Sequence, residues 1–134
     1  MTDYKFSVPI QPRYADFDML GHLNNATYVT YYEVARLHYF HEIGWTLKDA
    51  TNVVAHFDID FLVPIIPKNK VVCSIKTISL GTKSFQMQYE LTSTDGSILY
   101  SRAHSVQVCI DRESGQAVKM PADIRNVISK YDGL

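Results

Sequence analysis

Residues 16–25 read Asp16-Phe17-Asp18-Met19-Leu20-Gly21-His22-Leu23-Asn24-Asn25 and run directly into the segment from Tyr28 to Ile43. In that segment Tyr28, Tyr32, Ala35, Tyr39 and Ile43 recur at steps of four and three, which places them on one face of a helix. Asn24 or Asn25 can cap its start and Gly44 can end it. The span amounts to about four to five turns. The quoted stretch therefore sets a carboxylate, a glycine and two asparagines where a strand gives way to a helix. Acid/base chemistry and the unsatisfied N–H groups of a helix N-terminus meet there, which predicts an active site.

Upstream, Tyr4 to Tyr14 reads as extended. Phe6, Val8 and Ile10 share one alternating face, while Pro9 and Pro12 restrict the segment to an edge or irregular position. Downstream of Gly44 the period changes to that of strands. Asn52 to Leu62 is rich in Val, Ile and Phe, Pro64 and Pro67 break it, and Lys70 to Ser79 resumes it, so these two are expected to pair. Phe85, Met87, Tyr89 and Leu91 alternate with Gln86, Gln88 and Glu90, the pattern of a strand with one buried face. Asp95-Gly96 predicts a tight hairpin turn into a further strand from Ile98 to Ile110. Pro121 sits at a helix start, and Ile124, Val127, Ile128 and Tyr131 mark a short amphipathic C-terminal helix. The expected fold class is α+β: a five-stranded antiparallel sheet wrapped around the one long helix able to cover its face.

Composition bounds the reading. With 134 residues, 46% hydrophobic and 20% charged, the chain is expected to form one domain spanning 1–134. No apolar run reaches the roughly 20 residues needed to span a bilayer, so no membrane partner is expected. A net charge of -1 gives no general attraction to nucleic acid. Met1 to Phe6 carries Asp3 and Lys5 and lacks the apolar core of a signal peptide, which predicts a cytoplasmic protein. Cys73 and Cys109 lie far apart in strand-like segments and are expected to be buried reduced thiols.

The pattern Asp18-x-x-Gly21-His22-x-Asn24-Asn25-x-x-Tyr28, followed by Tyr32-Glu33-x-Ala35-Arg36, resembles the 4-hydroxybenzoyl-CoA thioesterase family of the hotdog fold. The likeness is closest to its long-chain acyl-CoA thioesterase branch, in which His-x-Asn-Asn follows the acidic residue. It extends to Phe61-x-x-Pro64, Leu80-Gly81-x-x-Ser84 and Met120-Pro121-x-x-Ile124-Arg125, almost the whole chain. The resemblance implies hydrolysis of an acyl-CoA to a carboxylic acid and free coenzyme A, with Asp18 as the catalytic carboxylate and Asp16 as a turn or support residue. It also implies a homodimer or homotetramer whose sites draw on two chains, with residues near Phe61 and Pro64 completing the neighbour's pocket. Some relatives carry histidine where Asn25 stands. Asn25 cannot shuttle protons, but it can donate a hydrogen bond to a thioester carbonyl or position a water.

Read from the residues, thioester hydrolysis needs a nucleophile or activated water and donors aimed at the developing oxyanion. Asp18 can attack directly or act as base, and the helix N-terminus, with Asn25 and the Gly21 turn beside it, can polarise the carbonyl. The plain alternative is that Asp and Asn here only cap and turn. His22 is expected to orient the loop or to join catalysis. Glu33 and Arg36, one turn apart, form an i,i+3 ion pair or a support to the site. Tyr28, Tyr32 and Tyr39 pack the core, with some rings lining an acyl channel. Lys83, Ser84 and Arg102 are candidates for contacts with coenzyme A. No cofactor and no metal is expected: His38 and His41 have metal-compatible spacing but no carboxylate pattern to join them, and His56 and His104 read as structural or surface residues. Two other functions stay open, a non-catalytic acyl-thioester-binding module and a hydratase or dehydratase. The latter class generally uses a catalytic histidine paired with an acid across the site, whereas His22 lies four residues from Asp18.

Overall fold

The alternation of Phe85, Met87, Tyr89 and Leu91 supplies the middle of the sheet, and all four side chains are buried. The computed structural model describes residues 3–134, so the first two residues of the N-terminal stretch read above, Met1 and Thr2, lie outside the described residues. Its elements are β1 (Phe6–Ile10), a 3-10 turn (Tyr14–Asp16), α1 (Asn25–Glu42), β2 (Ala50–Phe61), β3 (Val71–Leu80), β4 (Ser84–Thr92), β5 (Leu99–Asp111) and α2 (Ala122–Asp132). The strands form one antiparallel sheet in the order β1-β3-β4-β5-β2. This is the expected hotdog architecture, with α1 on the concave face and the short α2 near the end of the chain.

The pairing expected of Asn52 to Leu62 with Lys70 to Ser79 does not form. β3 has β1 on one side and β4 on the other, and β2 lies at the far edge beside β5. β4 follows β3 after a three-residue turn and takes one side of it, and β1 occupies the other, so no edge of β3 is left for β2. The connection through Pro64 and Pro67 carries the chain across the sheet instead of reversing it. The first strand is also shorter than Tyr4 to Tyr14. It ends at Ile10, and Pro12 precedes a 3-10 turn rather than more strand. Its edge position, expected from Pro9, holds: β1 pairs only with β3 among the described residues. Asp95-Gly96 does turn the chain, inside a six-residue connection in which Gly96 has φ +76° and its N–H donates to the Ser93 carbonyl.

Helix α1 starts where Asn24 accepts the Ala26 N–H at 3.0 Å through its side chain, a cap worth about 1 kcal/mol. The chain leaves the helix through Gly44, whose φ of +83° is a left-handed conformation that glycine adopts without Cβ strain. Tyr28, Tyr32, Ala35 and Tyr39 of the helix, with Ile43 at its C-cap, are buried against the sheet. The ring of Tyr32 lies beside Phe57 and Tyr89, and its hydroxyl donates to Ser101 Oγ at 2.7 Å. Tyr39 bonds Thr77 and the Asp132 carboxylate, which ties α1 to β3 and α2. Each ring thus buries an apolar body, worth about 2–3 kcal/mol, without orphaning its hydroxyl. Cys73 and Cys109 are buried free thiols; burial raises the Cys109 pKa to about 11, and that of Cys73 is raised by the same cause.

Candidate active site

Between the 3-10 turn and α1 the chain folds into a miniature hairpin. Asn24 N–H donates to the Asp16 carbonyl, Phe17 bridges Leu23, and Asp18 N–H donates to the His22 carbonyl at 2.9 Å. Gly21 closes the tip with φ +78° and an N–H bond to the Asp18 carbonyl, a backbone state that side chains resist. Leu23, buried, anchors the hairpin by donating its N–H to the Ile65 carbonyl of the β2–β3 connection.

The two carboxylates of the hairpin are used differently. Asp16 is buried, with 2% of its surface exposed. Its oxygens accept from the Arg13 backbone N–H, twice from the Arg13 guanidinium, and from the Tyr31 hydroxyl at 2.6 Å. Burial alone would raise its pKa, but the Arg13 and Tyr31 bonds outweigh it and hold the carboxyl below the usual range. The Tyr31 phenol is pushed up, first by burial and then by its hydrogen bond to the Asp16 carboxylate and that group's charge. Asp18 is exposed, and its Oδ1 accepts the N–H groups of Leu20 at 2.9 Å and His22 at 3.2 Å. Those two bonds orient the carboxylate.

Asp18, His22, Asn25, Tyr28, Phe61 and Pro64 line one cleft of about 430 Å3. Gly21 shapes its rim through the turn. Phe61 stands edge-on to Tyr28 with ring centroids 4.9 Å apart, and burial raises the Tyr28 phenol pKa. With the Ala26 N–H capped and the Thr27 N–H bonded to the Asn24 carbonyl, the Asn25 N–H is without an acceptor among the described residues. The cleft therefore combines an oriented carboxylate, a helix start and an apolar wall within a single chain. The resemblance implies that Phe61 and Pro64 complete a neighbour's pocket; within this chain they face its own Asp18 loop, because β2 ends beside the start of α1.

Other candidates stand elsewhere. Tyr32 is in the core. Glu33 is exposed, 4.0 Å from Arg36, and the two border a second concavity with Asn52, Val54 and Gln107 near the start of β2. Lys83 and Ser84 lie at the β3–β4 turn, where their carbonyls accept from Cys109 and Gly81. Arg102 pairs with Asp60 at 3.0 Å. The sequence reading misses Leu20, Leu23, Leu62 and Val63 as cleft residues. The signal that could have found them is the apolar run from Phe61 to Ile66, which continues past the end of β2 into the connection.

The profile of the thioesterase-like superfamily matches residues 12–128. The chain belongs to that superfamily and is a thioester hydrolase. A thioesterase from Thermus thermophilus, solved in complex with coenzyme A and zinc, superposes with a TM-score of 0.87 at 32% identity, covering 100% of this chain and 99% of that one. The Bacillus subtilis (strain 168) protein YsmA is 30% identical over 119 residues, 87% of this chain and 80% of its own length. A 1,4-dihydroxy-2-naphthoyl-CoA hydrolase of Nostoc punctiforme is 28% identical over 71 residues, 53% of this chain and 47% of that protein. No helix among the described residues is long and apolar enough to cross a membrane.

Proposed function

We propose that the protein hydrolyses an acyl-CoA thioester to a carboxylic acid and free coenzyme A, with Asp18 as its catalytic carboxylate. The observation that carries this reading is the meeting of the oriented Asp18 carboxylate with the start of α1 in one cleft. The Asn25 N–H and side-chain amide polarise the thioester carbonyl, where the helix dipole favours developing negative charge. Leu20, Leu23, Tyr28, Phe61, Leu62, Val63 and Pro64 receive the acyl group. His22 holds the loop through its backbone. In one route Asp18 takes a proton from water, the hydroxide oxygen bonds to the carbonyl carbon, and the C–S bond breaks as the proton passes to sulfur. In the other, an Asp18 oxygen attacks, thiolate leaves, and water cleaves the resulting anhydride.

The proposed assembly is a pairing of β2 with β2 of a second copy, as a homodimer or half of a homotetramer. β2 is a 12-residue edge strand, and Val53, Val54 and Phe61 on it are partly exposed, as are Val29, Val34 and Leu37 on α1. An antiparallel, two-fold pairing would set the end of one β2, with its Asp18 cleft, against the start of the other. Glu33 and the concavity beside it would then face the cleft from the partner, which accounts for its distance from Asp18 within one chain. Lys83, Ser84 and Arg102 remain proposed contacts for the coenzyme A portion.

The His22-x-Asn24-Asn25 pattern supports the long-chain branch, whereas the naphthoyl-CoA hydrolase relative supports an aromatic acyl group. Release of free thiol from short, medium, long and aromatic acyl-CoAs tests the substrate, with Asp18→Asn as control. Turnover of one class that falls about a hundredfold in the variant, roughly 2.7 kcal/mol of barrier, is the expected result. No turnover by folded wild type on any acyl-CoA would overturn it. Label in Asp18 after a single turnover in 18O water establishes the anhydride route with water attacking the Asp18 carbonyl carbon, whereas the general-base route places label only in the released acid.

A further inference from the structure

We propose that His56, Asp58 and His104 form a binding site for one divalent transition-metal ion, of the zinc or cobalt type, on the face of the sheet turned away from α1. The site is separate from the Asp18 cleft and its argument is independent of the proposed reaction. In the sequence these residues are scattered; pairing of β2 with β5 sets Asp58 opposite His104, with His56 two residues along. His104 lies between the buried Ala103 and Ser105, so it projects from the opposite face of the sheet. One potential ligand atom from each of the three lies within 4.8 Å of the others.

The hydrogen bonds of this cluster point to a cation. Asp58 Oδ2 is 3.0 Å from both His56 Nε2 and His104 Nδ1. The other nitrogen of His104, Nε2, is 2.8 Å from Gln86 Oε1. Both nitrogens of His104 thus face acceptors, and a neutral imidazole has one N–H to give. With Nε2–H donated to Gln86, the contact of Nδ1 with the Asp58 carboxylate calls for a positive charge, which either a second ring proton or a metal ion provides. The metal ion does so by binding His104 Nδ1, His56 Nε2 and Asp58 Oδ2 while the Gln86 bond fixes the ring tautomer. Metal–ligand distances of about 2.0–2.2 Å in a tetrahedron require ligand spacings of about 3.3 Å, so the two separations from Asp58 need open by only a few tenths of an ångström, while the spacing between the two imidazole nitrogens, within 4.8 Å, adjusts by rotation of the exposed His56 side chain. Three protein ligands leave a fourth position for water or another ligand. By contrast, no group of this kind includes His38 or His41 among the described residues. The ion would join edge strand β2 to β5 through side chains as well as through the ladder.

The test is titration of EDTA-treated, dialysed full-length protein with Co2+, followed by visible absorption, and with Zn2+, followed by calorimetry. Wild type is expected to take up one equivalent per chain, with the intense bands of low-coordinate cobalt. His104→Gln and His56→Gln should weaken binding by about a hundredfold, and Gln86→Ala by about tenfold. Circular dichroism establishes that each variant is folded. Absence of a stoichiometric site in wild type, or binding indifferent to His104→Gln and His56→Gln, would overturn the proposal.

Discussion

Asp16 and Asp18 are two residues apart on one hairpin and occupy opposite environments. Asp16 is buried, with both oxygens engaged by Arg13 and Tyr31, so its negative charge organises the loop and is inaccessible to a reactant. Asp18 is exposed and spends one oxygen on its own turn, accepting the N–H groups of Leu20 and His22. The difference teaches that a carboxylate fully satisfied by its own protein is scaffold, while one held by a single oxygen at the edge of a cleft is available for chemistry.

The sharpest way to break this contrast is to neutralise each acid in turn. Asp18→Asn should abolish about 99% of turnover, about 2.7 kcal/mol of barrier, while the melting temperature stays nearly unchanged, since the amide oxygen can still accept from the turn. Matched thiol-release and thermal-unfolding measurements check both halves; a large stability loss with modest activity loss would reverse the assigned roles. Asp16→Asn should do the opposite. Its amide N–H groups would oppose those of Arg13, costing about 2 kcal/mol of stability by denaturant titration, with the folded fraction retaining most activity. Removing one donor is milder: Tyr31→Phe should cost about 1.5 kcal/mol, because the lost bond is to a charged group and Arg13 remains. The smallest effect is in pH. Since the Asp16 pKa is depressed on folding, its contribution is fully present above the ordinary carboxylate value of about 3.9 and is lost as pH falls through the folded value. Denaturation midpoints measured from pH 6 downward should therefore fall more steeply below about pH 4 for wild type than for Asp16→Asn. Parallel curves would show that Asp16 carries no linked proton.

Much of the scaffold is legible in the chain. The 3.6-residue stripe of Tyr28, Tyr32, Ala35 and Tyr39 marks α1, and Phe85, Met87, Tyr89 and Leu91 mark β4, because burial on one face leaves a period in the sequence. The Asp18-to-Asn25 loop is legible because its turn and cap depend on neighbours a few residues away. Strand pairing is less so: β2 and β3 read as partners, yet β2 crosses to β5. Cross-strand partners far apart in sequence compete on nearly equal local terms, and the winner is chosen by the whole sheet.

The sequence by itself determined the kinds of element, their approximate limits, and the residues of the proposed catalytic loop, since these rest on side-chain period, capping and backbone preference over a few residues. Only the tertiary structure decided that Phe61 to Pro64 form the far wall of the Asp18 cleft, that Glu33 and Lys83 stand away from it, and that His56, Asp58 and His104 converge on the opposite face. Those proximities follow from strand order and register, which are properties of long-range packing and leave no periodic trace in the chain.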